Sequence, residues 1–591
     1  MQNIEVNVND NSTDVNGPQD LLIIDDQHQH RYCRDEDDDL LVDDVGQAVR
    51  KIIRELQNDN ISSGDDGDDG GCVNRLELED GYLTDWFNSN PSANIAAFLD
   101  ALRQNTTIQH VSVSGDFFLT ISEMIEQRND DNDDEEEEEE RMEWQFLNVI
   151  SRLPELITLE IREGMDFNGI ALPVTQFQLL LRQATNLQIL ILRFVELEVP
   201  DNSVIVENDF DASISSLTRG ADQHQTNNQI LLEAFRHCPA LQEVTFSQLR
   251  MGEGLDLETL FQGLAILPNL RQARIHMAVQ RQQLHRRLRS SQRRQHNQDD
   301  IGRQARLQGI CESNTLQLLE LSSLQLLDEE RMLQTLRTNT SIRNISLAEV
   351  EVSFSGWTEL AQLFKRGVQD QQQENCGALE CLRLDKMIGL DDDSMHVLCH
   401  ALIPKSTASV PTLKQLQLCN ILDMGRRGWR AISEMLTVND SLTHLSLENC
   451  QGMDDDAVTG IASALKHNIT LRHLEMQVFS GQLATPSYKK GRQALVDVLA
   501  SGNNISLEHL FTRATGGQDV QLDFFLKLNR TGLRQYVLEQ YHAQQSTVNQ
   551  QEDAWCTEFM TTLIPYLDDL DVLFYVLQTN PAFVMSCFRL L

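Results

Sequence analysis

The acidic run DGDDGGCVNRLE sets Asp66, Asp68 and Gly70 at positions 1, 3 and 5, Gly71 at 6 and Glu77 at 12 of a calcium-binding loop. At that spacing carboxylate and carbonyl oxygens can wrap a hard cation, and the chemistry would be reversible calcium binding. An EF-hand also needs a helix running into the first ligand and another leaving the twelfth. Here ISSGD precedes Asp66, and VNRLEL around Glu77 alternates as a strand does. An acidic loop leading into a strand accounts for the same residues.

Softer ligands occur in SMHVLCHAL, where His396, Cys399 and His400 lie in one helix-like segment near Cys376 and Cys381. Thiolate and imidazole together would suit zinc, but the spacing fits no familiar zinc knuckle. Cys399 stands three residues before Leu402, the place of an apolar filler, so core packing is the expected role. His444 and His473 hold matching positions in THL and RHL. If those are adjacent strands, about 4.8 Å apart, the two rings lie side by side; they are read as ordinary surface groups, with no metal or cofactor expected. No phosphate-cradling glycine loop, nucleophile elbow, paired zinc histidines or kinase set is present, and the chain is expected not to be an enzyme.

The elements that would position these residues come from a repeat. L-x-x-L-x-L, or an aliphatic variant, begins thirteen times, at Val73, Ile108, Leu156, Leu187, Leu241, Leu270, Leu316, Ile342, Leu379, Leu413, Leu442, Leu471 and Leu507. Period-2 apolar residues make each match a short strand, and the run before it has helical period. Phe98, Leu99 and Leu102 with Ile95, the set Trp357, Leu360, Ala361 and Phe364, and the set Val458, Ile461, Ala462 and Leu465 each mark one helix face. Trp429, with Ile432 and Leu436 on the same face, is expected in the core. Asn recurs where helices should end, in LRQNTTI, LRTNTSI, LTVNDSL and LKHNITL, and is expected to close them in left-handed geometry. One unit cannot bury enough surface to fold alone, so units must stack.

Units of about 28 residues with a full helix opposite the strand resemble the ribonuclease-inhibitor-like subclass of leucine-rich repeat proteins. The residue that is Asn or Cys in that subclass is Cys450 here, but Val195, Leu249, Leu324, Val350, Ile421 and Phe479 elsewhere, which separates this chain from ribonuclease inhibitor itself. The stretch DFFLKLNRTGLRQYVL and the later LDDLDVLFYVLQTNPAFV look like the closing segment of large, mostly uncharacterised algal proteins with such repeats. The resemblance implies a curved α/β solenoid with a parallel inner sheet and outer helices. Its subclass includes activators of Ran-type GTPases, so regulation of a small GTPase by contact is one alternative function, and calcium-responsive binding through Asp66, Asp68, Gly70 and Glu77 is another.

The expected organisation is an acidic tail without structure over 1–39, a solenoid over 40–515 and a helical C-terminal cap over 516–591. A first helix would carry Val49, Ile52, Ile53 and Leu56, and insertions would fall near 126–142 (acidic), 199–226 (polar) and 279–304 (arginine-rich). The acidic run 130–140 and the arginine run 281–306 could neutralise each other, although separate solvated runs are the simpler expectation. A net charge of −42 favours basic protein partners over membranes and nucleic acid, except through the arginine-rich insertion. With no signal-like start and eleven cysteines lacking a C-x-x-C pair, the chain is expected in a reducing intracellular compartment, cytoplasmic or nuclear.

The outward strand positions differ from unit to unit: Glu77, Ser112, Glu160, Ile191, Thr245, Arg274, Glu320, Ser346, Arg383, Gln417, Ser446, Glu475 and Phe511. Variety on a regular scaffold suits recognition, and the expected function is a protein-interaction scaffold. The main partner-binding surface is placed on Arg383, Lys414, His444, Glu448, Arg472, His473 and Glu475, where the spacing is most regular.

Overall fold

The structure, a computed structural model, describes residues 21–24, 75–78, 91–114, 142–162, 170–199, 221–252, 254–278, 304–305, 307–326, 329–364, 379–404, 412–477, 489–501, 504–512, 520–532 and 535. Asp66, Asp68, Gly70 and Gly71, the first helix expected around Val49, the charged runs expected to pair (apart from 304–305), and most of the cap lie outside these residues. The chain forms two compact units, Met1–Arg293 and Arg294–Leu591.

In the first unit the strands are β1 (Leu21–Ile24), β2 (Arg75–Leu78), β3 (His110–Ser114), β4 (Thr158–Arg162), β5 (Ile170–Pro173), β6 (Ile189–Arg193), β7 (Val195–Glu198), β8 (Glu243–Met251) and β9 (Gln272–Met277). The helices are α1 (Pro91–Gln104), α2 (Met142–Ser151), α3 (Val174–Gln183), α4 (Ala221–Arg236) and α5 (Leu257–Ala265). Strands β1-β2-β3-β4-β6-β8-β9 pair in that order, all parallel.

The second unit holds β10 (Gln304–Ala305), β11 (Leu318–Ser322), β12 (Gln325–Leu326), β13 (Asn344–Ala348), β14 (Cys381–Asp385), β15 (Gln415–Cys419), β16 (His444–Glu448), β17 (His473–Gln477) and β18 (His509–Thr512). Its helices are α6 (Gln308–Cys311), α7 (Glu329–Thr338), α8 (Phe354–Leu363), α9 (Asp392–Ala401), α10 (Arg426–Val438), α11 (Asp455–Leu465), α12 (Lys489–Ala500) and α13 (Val520–Arg530). Strands β11-β13-β14-β15-β16-β17-β18 form its parallel sheet.

Each of the thirteen sequence matches therefore ends in a strand. The inward side chains of these strands, from Leu76 to Met476, are at most 3% exposed. Against them pack the anticipated helix faces: Phe98, Leu99 and Leu102, then Trp357, Leu360, Ala361 and Phe364, then Val458, Ile461, Ala462 and Leu465 are all buried. Trp429 is in the core, its indole N–H donating to Gln451 O at 3.1 Å. This is the expected α/β repeat solenoid, one strand and one helix per unit.

The helix-ending asparagines do something other than expected. Asn439 has φ −74° and ψ 129°, an extended residue, and none of Asn105, Asn339, Asn439 and Asn468 is left-handed. Their side chains are buried instead and act as local templates. Asn468 Oδ1 accepts from the N–H of Thr470 (3.1 Å) and of Leu471 (2.8 Å), turning the chain into the strand, while Nδ2 donates to Leu436 O (2.8 Å) and Asn439 O (3.0 Å) of the preceding unit. Asn339, Asn439 and Asn504 repeat both halves of this pattern. One amide both shapes its own turn and binds its neighbour, satisfying backbone groups that burial would otherwise leave unpaired.

Left-handed residues occur at the other end of the strand. Phe194, Ser323, Glu349, Lys386, Asn420 and Asn449 have φ between 47° and 59°. The N–H of each donates at 2.7–2.9 Å to a strand carbonyl of the next unit: Ser247, Ala348, Asp385, Cys419, Glu448 and Gln477. Helix starts are joined across units too. The Asp392 carboxylate accepts from the N–H of Gly425 (2.7 Å) and Gly428 (2.8 Å), capping the next helix, α10. A Cβ on Gly428 would lie 2.8 Å from Met424 Cγ and 2.9 Å from Asp392 Oδ1, so that close approach requires glycine.

Some elements depart from the expected boundaries. Leu21–Ile24, inside the tail expected to lack structure, pairs with β2. Ala221–Arg236 begins its helix within the 199–226 insertion. Short strands β5 and β7 pair beyond the left-handed turn, and β7 continues onto the end of β8. The first helix of the expected cap, α13, behaves as a repeat helix: Leu522, Leu526 and Leu528 are buried, and Asn529 Nδ2 donates to Leu507 O at 2.8 Å. Among the described residues no helix is long and apolar enough to cross a membrane.

Candidate functional site

Parallel register places equivalent side chains in rows across a sheet, and every second residue points away from the packed helices. In the second unit the middle row is Glu320, Ser346, Arg383, Gln417, Ser446, Glu475 and Phe511, as the repeat spacing predicts. In the first unit the row is Glu77, Ser112, Glu160, Ile191, Thr245 and Arg274.

The two carboxylates of the first unit's row, Glu77 and Glu160, are held in ion pairs. Glu77 meets Arg75 at 2.5 Å and Arg162 at 3.5 Å, and Glu160 meets Arg193 at 2.9 Å. Glu77, the twelfth position of the calcium-loop pattern, is thus a strand residue facing two guanidinium groups rather than the first residue of an exiting helix.

On the second unit the face is divided by charge. Toward the N-terminal ends of β16–β18 stand the imidazoles of His444, His473 and His509, which are neighbours in register. His444 and His473 stack at 4.1 Å with planes 6° apart, the arrangement expected from THL and RHL, and His473 and His509 stack at 4.4 Å and 7°. His509 is a third member that THL and RHL do not reveal, although EHL at 508–510 carries the same signal. Burial holds His444 and His473 below the usual imidazole value. The neighbouring imidazoles and Arg472 push the same way, and Glu508 opposes them. Arg472 reaches Glu508 at 3.0 Å, and Thr443 Oγ1 lies 2.9 Å from His444 Nδ1.

Toward the C-terminal ends the face is acidic. Ser446 Oγ lies 3.0 Å from Glu448 Oε1 and 3.1 Å from Glu475 Oε2, linking two carboxylates on neighbouring strands. Asp385 is 3.7 Å from Arg383 and accepts from Asn420 Nδ2 at 2.8 Å. The anticipated surface residues therefore fall into separate groups. His444, His473 and Arg472 gather at one side, Glu448 stands at the other, and Glu475 lies in the middle row. Arg383 stands two strands from Ser446, and Lys414 is exposed just before β15.

The thiol–imidazole group does not assemble. Cys399 is in the core, where burial pushes its thiol up to about 12, while His396 and His400 stack 6.2 Å apart on the exposed side of α9. Cys376 lies outside the described residues. Among the described residues, the group whose ligand atoms converge is His473, Glu508 and His509, all within 4.8 Å of one another.

Fold and site define an α/β solenoid of leucine-rich-repeat type with a varied strand face turned outward. No protein-family model matches the sequence, and no curated protein matches it. Among solved structures, this chain is similar to Leiomodin-1 Actin-Binding Site 2 (21% identity, TM-score 0.20, 27% of this chain and 89% of that one). It is also similar to the yeast Rad7 and Elc1 complex (11% identity, TM-score 0.33, 82% of this chain and 93% of that one).

Proposed function

We propose that the chain is a non-enzymatic scaffold that binds a protein partner through the outward strand face of β14–β18. The reading rests on one observation: a hydrogen-bonded strand face carries different side chains on successive strands, with three imidazoles toward one end of the strands and Asp385 and Glu448 toward the other. Strand residues held by ladder hydrogen bonds lose little freedom on binding, so each contact is retained as affinity. The carboxylates of Asp385, Glu448 and Glu475 suit a basic segment, as does the net charge of −42. Unit length and a full helix opposite each strand favour the ribonuclease-inhibitor-like subclass of repeats, and an intracellular compartment suits the buried reduced thiols.

Charge reversal tests the reading. Arg383→Glu with Glu475→Lys should reduce capture of the partner isolated from the native cell with the unchanged chain, while the melting temperature stays the same. Arg430→Glu with Glu434→Lys, on the exposed side of α10, should leave capture intact. The opposite pattern refutes the proposal.

A further inference from the structure

The three stacked imidazoles are more than surface decoration, because the stack ends beside a carboxylate. We propose that His473, His509 and Glu508 form a site for one divalent transition-metal ion of the imidazole-preferring class, zinc foremost, with His444 as a positioning residue stacked behind His473. The inference stands on its own geometry and is independent of the protein-binding reading.

Two imidazoles and one carboxylate are a ligand set that zinc takes in open sites, leaving further positions to water. Adjacent rungs of a parallel sheet hold His473 and His509 in register, and Glu508 immediately precedes His509. The ligand atoms lie within 4.8 Å of one another. Tetrahedral zinc about 2.0 Å from each ligand would set them roughly 3.3 Å apart, so closure needs about 1.5 Å at most. The rings now lie nearly parallel, and their in-plane lone pairs must tilt toward a common point. His509 is exposed and at the end of the stack, so rotation about its side-chain torsions can supply that tilt. His473 cannot turn as far, because His444 covers its other side at 4.1 Å, and His444 is in turn anchored through Nδ1 to the Thr443 hydroxyl.

Arg472 opposes binding, since its guanidinium occupies the Glu508 carboxylate at 3.0 Å and places a positive charge beside the ion. A bound metal therefore takes Glu508 from Arg472, and the pair acts as a gate on affinity.

Titration of the full chain with cobalt(II), followed by its visible absorption and by competition with zinc, tests the site. The unchanged chain should bind one more equivalent than the His473→Gln, His509→Gln double variant, with other cation sites cancelling in the difference. His509→Gln alone, a change at an exposed position, should remove the same spectrum with no change in melting temperature. Arg472→Gln should tighten that equivalent roughly tenfold, the scale of removing one charge a few ångströms from a divalent ion at an exposed site. Equal stoichiometry and spectra in the unchanged chain and the double variant would overturn the proposal, and an Arg472→Gln chain that bound no tighter would remove Glu508 from the ligand set.

Discussion

At the scale of single residues, the buried asparagines carry a disproportionate share of the stability. Asn468 makes hydrogen bonds to two units at once, and its Nδ2 partners, Leu436 O and Asn439 O, are buried carbonyls. Asn468→Ala leaves these and two turn amides unpaired, at a cost of roughly 2–4 kcal/mol if each loss is about 1 kcal/mol. Asn468→Asp should cost at least as much, because it aims a carboxylate at the same carbonyls. Urea midpoints of the two variants check both. A smaller effect belongs to Asp391, whose side chain accepts from Ser394 N at 2.9 Å to start α9. That bond holds the carboxyl below its usual value. Asp391→Ala should cost about 1 kcal/mol at neutral pH. A depressed carboxylate stabilises the fold above its unfolded pKa of about 4, and this contribution is lost as pH falls through the lower folded value. The stability gap between the two proteins should therefore close in acid, which unfolding measured from pH 7 to pH 3 would reveal.

At the scale of elements, stacking makes each helix the cover of the one before it, and α13 is the last described example. Deleting the chain from Gln518 removes Leu522, Leu526 and Leu528 from the core, together with the Asn529 bonds to Asn504 O and Leu507 O. The truncated protein should aggregate or melt lower, and sedimentation would show it; a monomer of unchanged stability would make α13 an appendage. Strands and helix faces were legible in the sequence because burial on one side imposes periods of 2 and 3.6, which Leu442, Leu445 and Leu447 or Val458, Ile461 and Ala462 display openly. The left-handed turns were not. Phe194, Ser323, Glu349 and Lys386 differ in side-chain type while the next strand's carbonyl holds each backbone N–H, and only Asn420 and Asn449 are of a type that favours this geometry. The asparagines were seen but misassigned, because left-handed tolerance and side-chain capping favour the same residue type. The candidate site was legible in its middle row, which follows from register alone. Its division into imidazole and acidic sides was missed because it needs the strands side by side.

At the scale of the whole molecule, charge gives the chain a general preference, and the strand face must supply the discrimination. A net charge of −42 attracts any basic partner and speeds its approach, but it does not choose a side of the repeat. In the proposed complex the partner sits on the strand face of the second unit, near Glu448 and Glu475, rather than on its helices. Carboxyl footprinting of the complex tests this directly, by comparing carbodiimide labelling of the chain alone and bound. Binding on the strand face should protect Asp385, Glu448 and Glu475 and leave the labelling of Glu434 and Asp497, on helices α10 and α12, unchanged. Protection of Glu434 and Asp497 with the strand carboxylates labelled as before would contradict it.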